Sequence, residues 1–306
     1  MENLLGLYEK ALPQNMDWST KLKTAKKLGF NFMEISIDET DERLARLCWT
    51  REEKRQLLQS MDEIEIPIMS MCFSGHRRYP LGSRNPKVRG YALDLMAKAI
   101  EFASDMGIRV IQLAGYDVYY EEHGEDTLAY FIEGLKRAVI MAAKYQVTLA
   151  IEIMDTPFLN SIQKYMQYDH LIQSPWLALY PDIGNLSAWG NDVGYELELG
   201  YSRIVAVHVK ETINVTERFP GRFRDTPFGK GDVDFVTAFK KLKSLGYSGP
   251  FLIEMWGDTF DDPVAEIARS REFILLLLNP VNVIFLQSAV SEEINILPVQ
   301  YIGDCL

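Results

Sequence analysis

Along this chain the apolar residues switch repeatedly between two periods. Short runs of strand-like alternation give way to stretches in which apolar residues recur every three to four positions. Strands are predicted at LLGLY (4–8), FMEISI (32–37), PIMSMCF (67–73), VIQLAGY (110–116), TLAIEIM (148–154), LALYPDI (177–183), RIVAVHV (203–209) and PFLIEMW (250–256). Helices are predicted over 18–29, 50–64, 85–107, 125–145, 161–172, 192–200 and 233–246, and a last one from about Pro263 through Leu278. Gly29, Gly107 and Gly246 stand where helix C-caps belong, just before the next strand. Eight strands, each followed by a helix, predict an α/β protein with a single-domain TIM (β/α)8 barrel. A doubly wound sheet would carry a glycine-rich phosphate loop after its first strand, and LYEKALPQN stands there instead. The barrel is assigned to residues 1–279. Residues 280–306, apolar but without helical periodicity, are assigned to an atypical C-terminal extension.

Composition narrows the partners. The 306 residues are 47% hydrophobic and 25% charged, with a net charge of −11. That suits a globular chain with a large core, and it lacks the basic face that nucleic acid requires. Three cysteines, Cys48, Cys72 and Cys305, form no CxxC motif and their number is odd, which argues for a reducing cytoplasm. The start MENLLGLYEKALP shows no signal-peptide pattern. FILLLL (273–278) and VNVIFL (281–286) are each too short to span a bilayer, so no membrane partner is expected.

The chemistry is expected at the C-terminal ends of the strands. There the sequence supplies Glu34, His76, Gln112, Glu152, Asp182, His208 and Glu254. Glu152 is the sharpest case: a carboxylate inside an apolar strand must be paired, neutralised or metal-bound. Glu152, Asp182, His208 and Glu254 follow one another at spacings of 30, 26 and 46 residues, one βα unit apart, with a long loop filling the last gap. Three carboxylates crowded around a barrel mouth repel one another, and one histidine does not cure that. A divalent cation does. Two Glu, one Asp and one His make an open site for Mn²⁺, Mg²⁺, Co²⁺ or Zn²⁺. Taken singly, each of the four reads as a satisfied polar strand residue; serial placement favours the metal. His76, in SGHRRYPLGS, is either a loop histidine or a substrate contact. Glu34 is either a hydrogen-bond acceptor behind the ligands, a substrate ligand or a buried structural partner. Gln112 reads as a lining residue, His123 and His170 as surface residues, and Cys72 as core.

At these residues the chain resembles the xylose isomerase-like TIM barrels, and within them the L-ribulose-5-phosphate 3-epimerase (L-xylulose-5-phosphate 3-epimerase) family. The resemblance is carried by LGLYEKALP, FMEISIDETDERLARL, SMCFSGHRRYPLGS, IRVIQLAGYDVYY, IEIMDTP, LYPDIGNLSAWGND, IVAVHVKET, PFGKGDVDF and GPFLIEMW, from about Leu5 to about Arg271. Beyond Arg271 it fades. The resemblance implies metal ligation by Glu152, Asp182, His208 and Glu254. It also implies a paired acid/base role for Glu152 and Glu254, and a place in L-ascorbate or pentose catabolism. The implied reaction inverts C3 of a pentulose 5-phosphate, converting L-xylulose 5-phosphate to L-ribulose 5-phosphate.

A 3-epimerase must remove the proton α to the C2 ketone and return it on the opposite face. A metal at O2 and O3 would hold the cis-enediolate, and one base is needed per face. The phosphate needs donors, and Arg77, Arg78, Lys210, Arg222 and Arg224 are the candidates, with the backbone N–H groups of FGKG. Lys210 leads, because two residues beyond His208 places it on the same strand face. A small-molecule sugar phosphate is the expected partner, and a homodimer the expected assembly. Two other activities share this type of site. An aldose–ketose isomerase passes through the same enediol. An apurinic-site endonuclease would want more histidine ligands than this acidic, four-histidine chain supplies.

Overall fold

The computed structural model describes residues 3–278. The assignment of 280–306 as an extension lies outside the described residues. Eight parallel strands form one sheet: β1 (Leu5–Tyr8), β2 (Phe32–Ile37), β3 (Ile68–Phe73), β4 (Val110–Ala114), β5 (Thr148–Glu152), β6 (Leu177–Tyr180), β7 (Val207–Val209) and β8 (Phe251–Ile253). Their order is β6-β5-β4-β3-β2-β1-β8-β7, and isolated parallel bridges Leu179–Ile204 and Asp182–His208 join the two ends. The expected single-domain (β/α)8 barrel is what forms. Among the described residues no helix is long and apolar enough to cross a membrane.

The helices are α1 (Trp18–Lys27), α2 (Asp41–Ala45), α3 (Arg51–Ile64), α4 (Pro86–Asp105), α5 (Glu125–Tyr145), α6 (Ile162–Ile172), α7 (Ile183–Ala188), α8 (Val193–Gly200), α9 (Phe235–Ser244) and α10 (Pro263–Leu278). Their starts follow local capping chemistry. Asp17 caps α1, Thr50 and Glu53 form a capping box on α3, and Asp234 caps α9. Gly29, Gly107 and Gly246 take the left-handed conformation at helix ends, as the sequence pattern predicts. The short helices α2 and α7 were not anticipated. Pro181 has no N–H for the ladder, and Asp182 then caps α7 by accepting from Asn185 N at 2.8 Å. The seventh strand is also shorter than the 203–209 run. Arg203 donates to Leu177 O at 2.5 Å and Ser174 O at 2.8 Å, holding Tyr201–Arg203 as a 3-10 turn.

Alternation along each strand separates two cores. Leu5, Leu7, Met33, Ile35, Ile37, Leu149, Ile151, Ile153, Val207, Val209 and Ile253 face the helix layer and join one large apolar cluster. The other face looks into the barrel. Its lower part is apolar, with Phe32, Leu252, Ala150 and Ala178. Gly6 makes that possible, because a Cβ there would lie 2.2 Å from the Phe32 ring. Its upper part is polar, and Glu34, Ser36, Ser70, Gln112, Glu152, Asp182, His208 and Glu254 are all buried there. The alternation therefore explains Glu152: Ile151 and Ile153 point outward to the helices while the carboxylate points into the mouth.

Candidate metal centre

Glu152 ends β5, Asp182 caps α7 just past β6, His208 is the central residue of β7, and Glu254 follows β8. One ligand atom from each lies within 4.8 Å of the others, and all four residues are buried. His208 Nδ1 is 2.7 Å from Glu152 Oε1 and 3.7 Å from Glu254 Oε2. Lys210 Nζ stands 2.7 Å from Asp182 Oδ2 and 2.9 Å from Glu254 Oε2. Gln112 Nε2 donates to Glu152 Oε2, while Gln112 Oε1 is buried without a partner.

Charge and geometry both suit a cation. Glu34, Glu152, Asp182 and Glu254 bring four carboxylates to a space holding one lysine and one histidine. Asp182 Oδ2 has the ammonium nearby but no well-aligned hydrogen bond. Hard oxygens with one imidazole match a divalent ion. Burial and the Glu254 charge push Glu152 up from the usual carboxylate range. Burial also pushes Asp182 up, against the pull of Lys210. For Glu254 burial acts the same way, but Lys210 and His208 outweigh it and hold that carboxyl low. Lys210 and His208 together face four carboxylates, and that excess of negative charge suits a further positive centre.

Above the cluster opens a pocket lined by Tyr8, Lys10, Cys72, Ser74, Arg77, Ala114, Glu152, Met154, Asp155, Asn185, Lys210, Arg224, Glu254 and Trp256. Three cations stand on its rim. Lys10 pairs with Asp38 at 2.5 Å, the Arg77 guanidinium lies over Tyr119 at 4.7 Å, and Arg224 lies over Trp256 at 4.6 Å. Asn185 donates through Nδ2 to Ile153 O at 2.8 Å, which leaves its buried Oδ1 unpartnered.

Other sequence candidates fall elsewhere. His76 is buried against Phe73 at 4.6 Å between ring centres, with Nε2 3.4 Å from Ala92 O, and burial pushes it down to about 4. It belongs to packing behind the rim. Arg78 points outward to Asp41 at 2.6 Å, and Arg222 is an exposed residue of the strand-like pair Ile213–Arg222. Glu34 lies beneath His208 and does not line the pocket. Lys210 is engaged by the cluster carboxylates and sits inside the site, below the rim. Lys10, Asn185 and Trp256 were missed. Their signal was positional: Lys10 and Trp256 follow the inward Tyr8 and Glu254 by two residues, and Asn185 follows Asp182 by one helical turn.

Residues 22–277 match the model of the xylose isomerase-like TIM barrel family. The chain belongs to that family. It is also 55% identical over 270 residues to the L-ribulose-5-phosphate 3-epimerase UlaE of Escherichia coli (strain SMS-3-5 / SECEC), covering 88% of this chain and 93% of that protein. The protein of the same description from Shigella boydii serotype 18 is 54% identical over the same coverage. These identities extend membership to the L-ribulose-5-phosphate 3-epimerase branch of the xylose isomerase-like barrels. Among solved structures, D-psicose 3-epimerase from Clostridium cellulolyticum H10 superposes with a TM-score of 0.75 at 14% identity, over 90% of this chain and 99% of that one. An L-ribulose 3-epimerase superposes with a TM-score of 0.70 at 17% identity, over 98% of this chain and 100% of that one. At such identities the structural likeness concerns the fold alone.

Proposed function

We propose that this chain is a metal-dependent 3-epimerase that interconverts L-xylulose 5-phosphate and L-ribulose 5-phosphate in L-ascorbate or pentose catabolism. The observation that carries the reading is the 55% identity, across 93% of its length, to a relative named for that reaction. The buried ligand set at the mouth supports it.

Glu152, Asp182, His208 and Glu254 would hold one divalent ion, of the class Mn²⁺, Mg²⁺, Co²⁺ or Zn²⁺. When bound, the ion supplies Lewis acidity that polarises the C2 carbonyl and lowers the cost of negative charge next to it. The chain's own groups do the proton work. One of Glu152 and Glu254 takes the C3 proton; the electron pair of that C–H bond moves into the C2–C3 bond as the C2=O2 π pair moves onto O2, and both shifts reverse when C3 is reprotonated. The other carboxyl, on the opposite face, delivers a proton to C3 and inverts it. Their positions on the fifth and eighth strands, across the mouth from one another, support one base per face. Lys10, Arg77 and Arg224 are the rim cations suited to the phosphate. Lys210, inside the cluster, serves the carboxylates.

The catalytic unit is placed in residues 1–279, with 280–306 an extension, in keeping with the family match ending at residue 277. A homodimer in the cytoplasm is the proposed setting, and the free thiols of Cys48 and Cys72 suit a reducing compartment. Sedimentation of the full chain tests the dimer. The reaction is tested by incubating Mn²⁺- or Zn²⁺-loaded protein with L-xylulose 5-phosphate in D₂O. L-ribulose 5-phosphate carrying deuterium at C3 is expected. An aldose product, or no exchange at C3, overturns the reading.

A further inference from the structure

Glu34 is fully buried on the inward face of β2, directly below the four ligand residues. Its Oε1 lies 3.2 Å from His208 Nε2. Its Oε2 accepts from Ser70 Oγ at 2.7 Å and lies 3.3 Å from the Tyr180 hydroxyl. The carboxylate is thus held at both oxygens, and it reaches neither the pocket nor the donor atoms of the cluster. Its placement is built into the sheet. Met33 pairs with Ile68 but Glu34 pairs with Ser70, so β3 carries one extra residue there, and the bulge sets Ser70 opposite Glu34. The His208 ring is braced from the side by Tyr180, with ring centres 4.5 Å apart.

An imidazole has two nitrogens, and a carboxylate facing one of them requires a proton there. Carboxylates face both nitrogens here, Glu152 Oε1 at Nδ1 and Glu34 Oε1 at Nε2. A cation in the cluster would claim the Nδ1 side, which leaves the proton of the neutral ring on Nε2, against Glu34. The lone pair then sits on Nδ1, the atom that faces Glu152 and Glu254. We propose that Glu34 is a positioning residue: through its bond to Nε2 it fixes the tautomer and orientation of His208 so that Nδ1 points into the cluster as a donor atom. The proposal rests on reading the cluster as a cation site, and Glu34 itself touches neither cation nor sugar.

The test uses the full chain, Zn²⁺ as probe, and two readouts that do not involve activity. Calorimetry measures Zn²⁺ affinity, and ¹⁵N–¹H correlation of the Zn²⁺-loaded protein reports the chemical shift and solvent exchange of the His208 Nε2 proton. Glu34→Ala removes the acceptor and should weaken Zn²⁺ by about 10–100-fold. It should also move the Nε2 proton upfield and speed its exchange with solvent, because the carboxylate that accepts it is gone. Glu34→Asp, the milder change, withdraws the carboxylate by one methylene and should move both readouts the same way. Glu34→Gln keeps an oxygen at the right reach and should restore much of the Nε2 proton's shift and protection. Parent-like affinity together with a parent-like Nε2 proton, in shift and exchange, in Glu34→Asp and in a folded Glu34→Ala overturns the proposal. A parent protein that takes up no Zn²⁺ would instead overturn the cation-site reading, and this one with it.

Discussion

Two clusters of buried charge sit within a few strands of each other, and they are built on opposite principles. Around Glu9, one carboxylate is surrounded by cations. Its Oε1 accepts from Lys21 at 2.8 Å and Arg46 at 3.0 Å. Its Oε2 accepts from Arg46 at 2.7 Å and from Ser36 N at 2.9 Å, with Arg43 also 2.9 Å away. Every lone pair is used, and Glu9 is fully buried. At the mouth the balance is reversed: carboxylates outnumber cations, and Asp182 Oδ2 and Gln112 Oε1 lack hydrogen-bond partners. A closed, satisfied cluster fastens chain segments together. An open, charge-excess cluster is poised to take something up. Buried charge alone therefore does not mark a functional site; the state of its partners does.

The contrast breaks most visibly under substitution of the two glutamates. Glu152→Gln and Glu254→Gln should each lower epimerisation by about 10²–10⁴-fold, the usual worth of a positioned acid or base. Thermal stability should hold at or above the parent value for Glu152→Gln, which relieves like-charge crowding, and fall for Glu254→Gln, which takes a charged partner from the buried Lys210. Metal content is measured alongside, and a metal-replete variant that epimerises near the parent rate would refute the two-base assignment.

Glu9 should answer in the opposite currency. Glu9→Ala leaves Lys21, Arg43 and Arg46 buried without their anion and should cost about 3–5 kcal/mol in urea unfolding. If Glu9→Ala unfolds at the parent midpoint, the cluster is not a fastening.

Acid should separate the clusters further. Burial pushes the Glu9 carboxyl up, but Arg46, Lys21 and Arg43 outweigh it and hold it at about 2 against an ordinary 4.5. A depressed carboxyl stabilises the fold fully above the unfolded value. That stability is lost as pH falls from about 4.5 toward about 2, and the shift corresponds to roughly 3 kcal/mol. Urea midpoints measured at pH 5 and pH 3 should therefore converge between the parent and a refolded Glu9→Gln. Parallel midpoints across that window would show that Glu9 does not titrate in it.

Lys10 lies at the seam, facing the pocket while pairing with Asp38, which Arg43 also approaches at 3.5 Å. Lys10→Ala and Arg224→Ala should each raise KM for the phosphorylated sugar by about 10–100-fold, as expected for losing a charge-assisted hydrogen bond. The unphosphorylated pentulose should be affected much less. Equal losses on both substrates would remove these residues from phosphate binding.

Periodicity was enough to predict the barrel, since alternation and helical spacing are local properties that each segment displays by itself. The candidate ligand set was legible for a related reason. In a barrel of near-uniform units, sequence spacing converts directly into position around the mouth, so Glu152, Asp182, His208 and Glu254 could be placed together before any contact was known. What the sequence could not decide was the partner of each side chain. His76, Arg78 and Arg222 have the right chemistry for a sugar phosphate, but their direction depends on loops whose course is set by Phe73, Asp41 and the Ile213–Arg222 pairing. Lys210 is on the face foreseen for it, yet its ammonium goes to Asp182 and Glu254, a choice set by charges on neighbouring strands. Helix ends at Glu65, Gln146 and Gln173 adopt the left-handed conformation without glycine, so no residue signal announced them. Element type and serial order are written locally and survive in the sequence. Which way a long polar side chain turns is decided by atoms brought near only when the barrel closes.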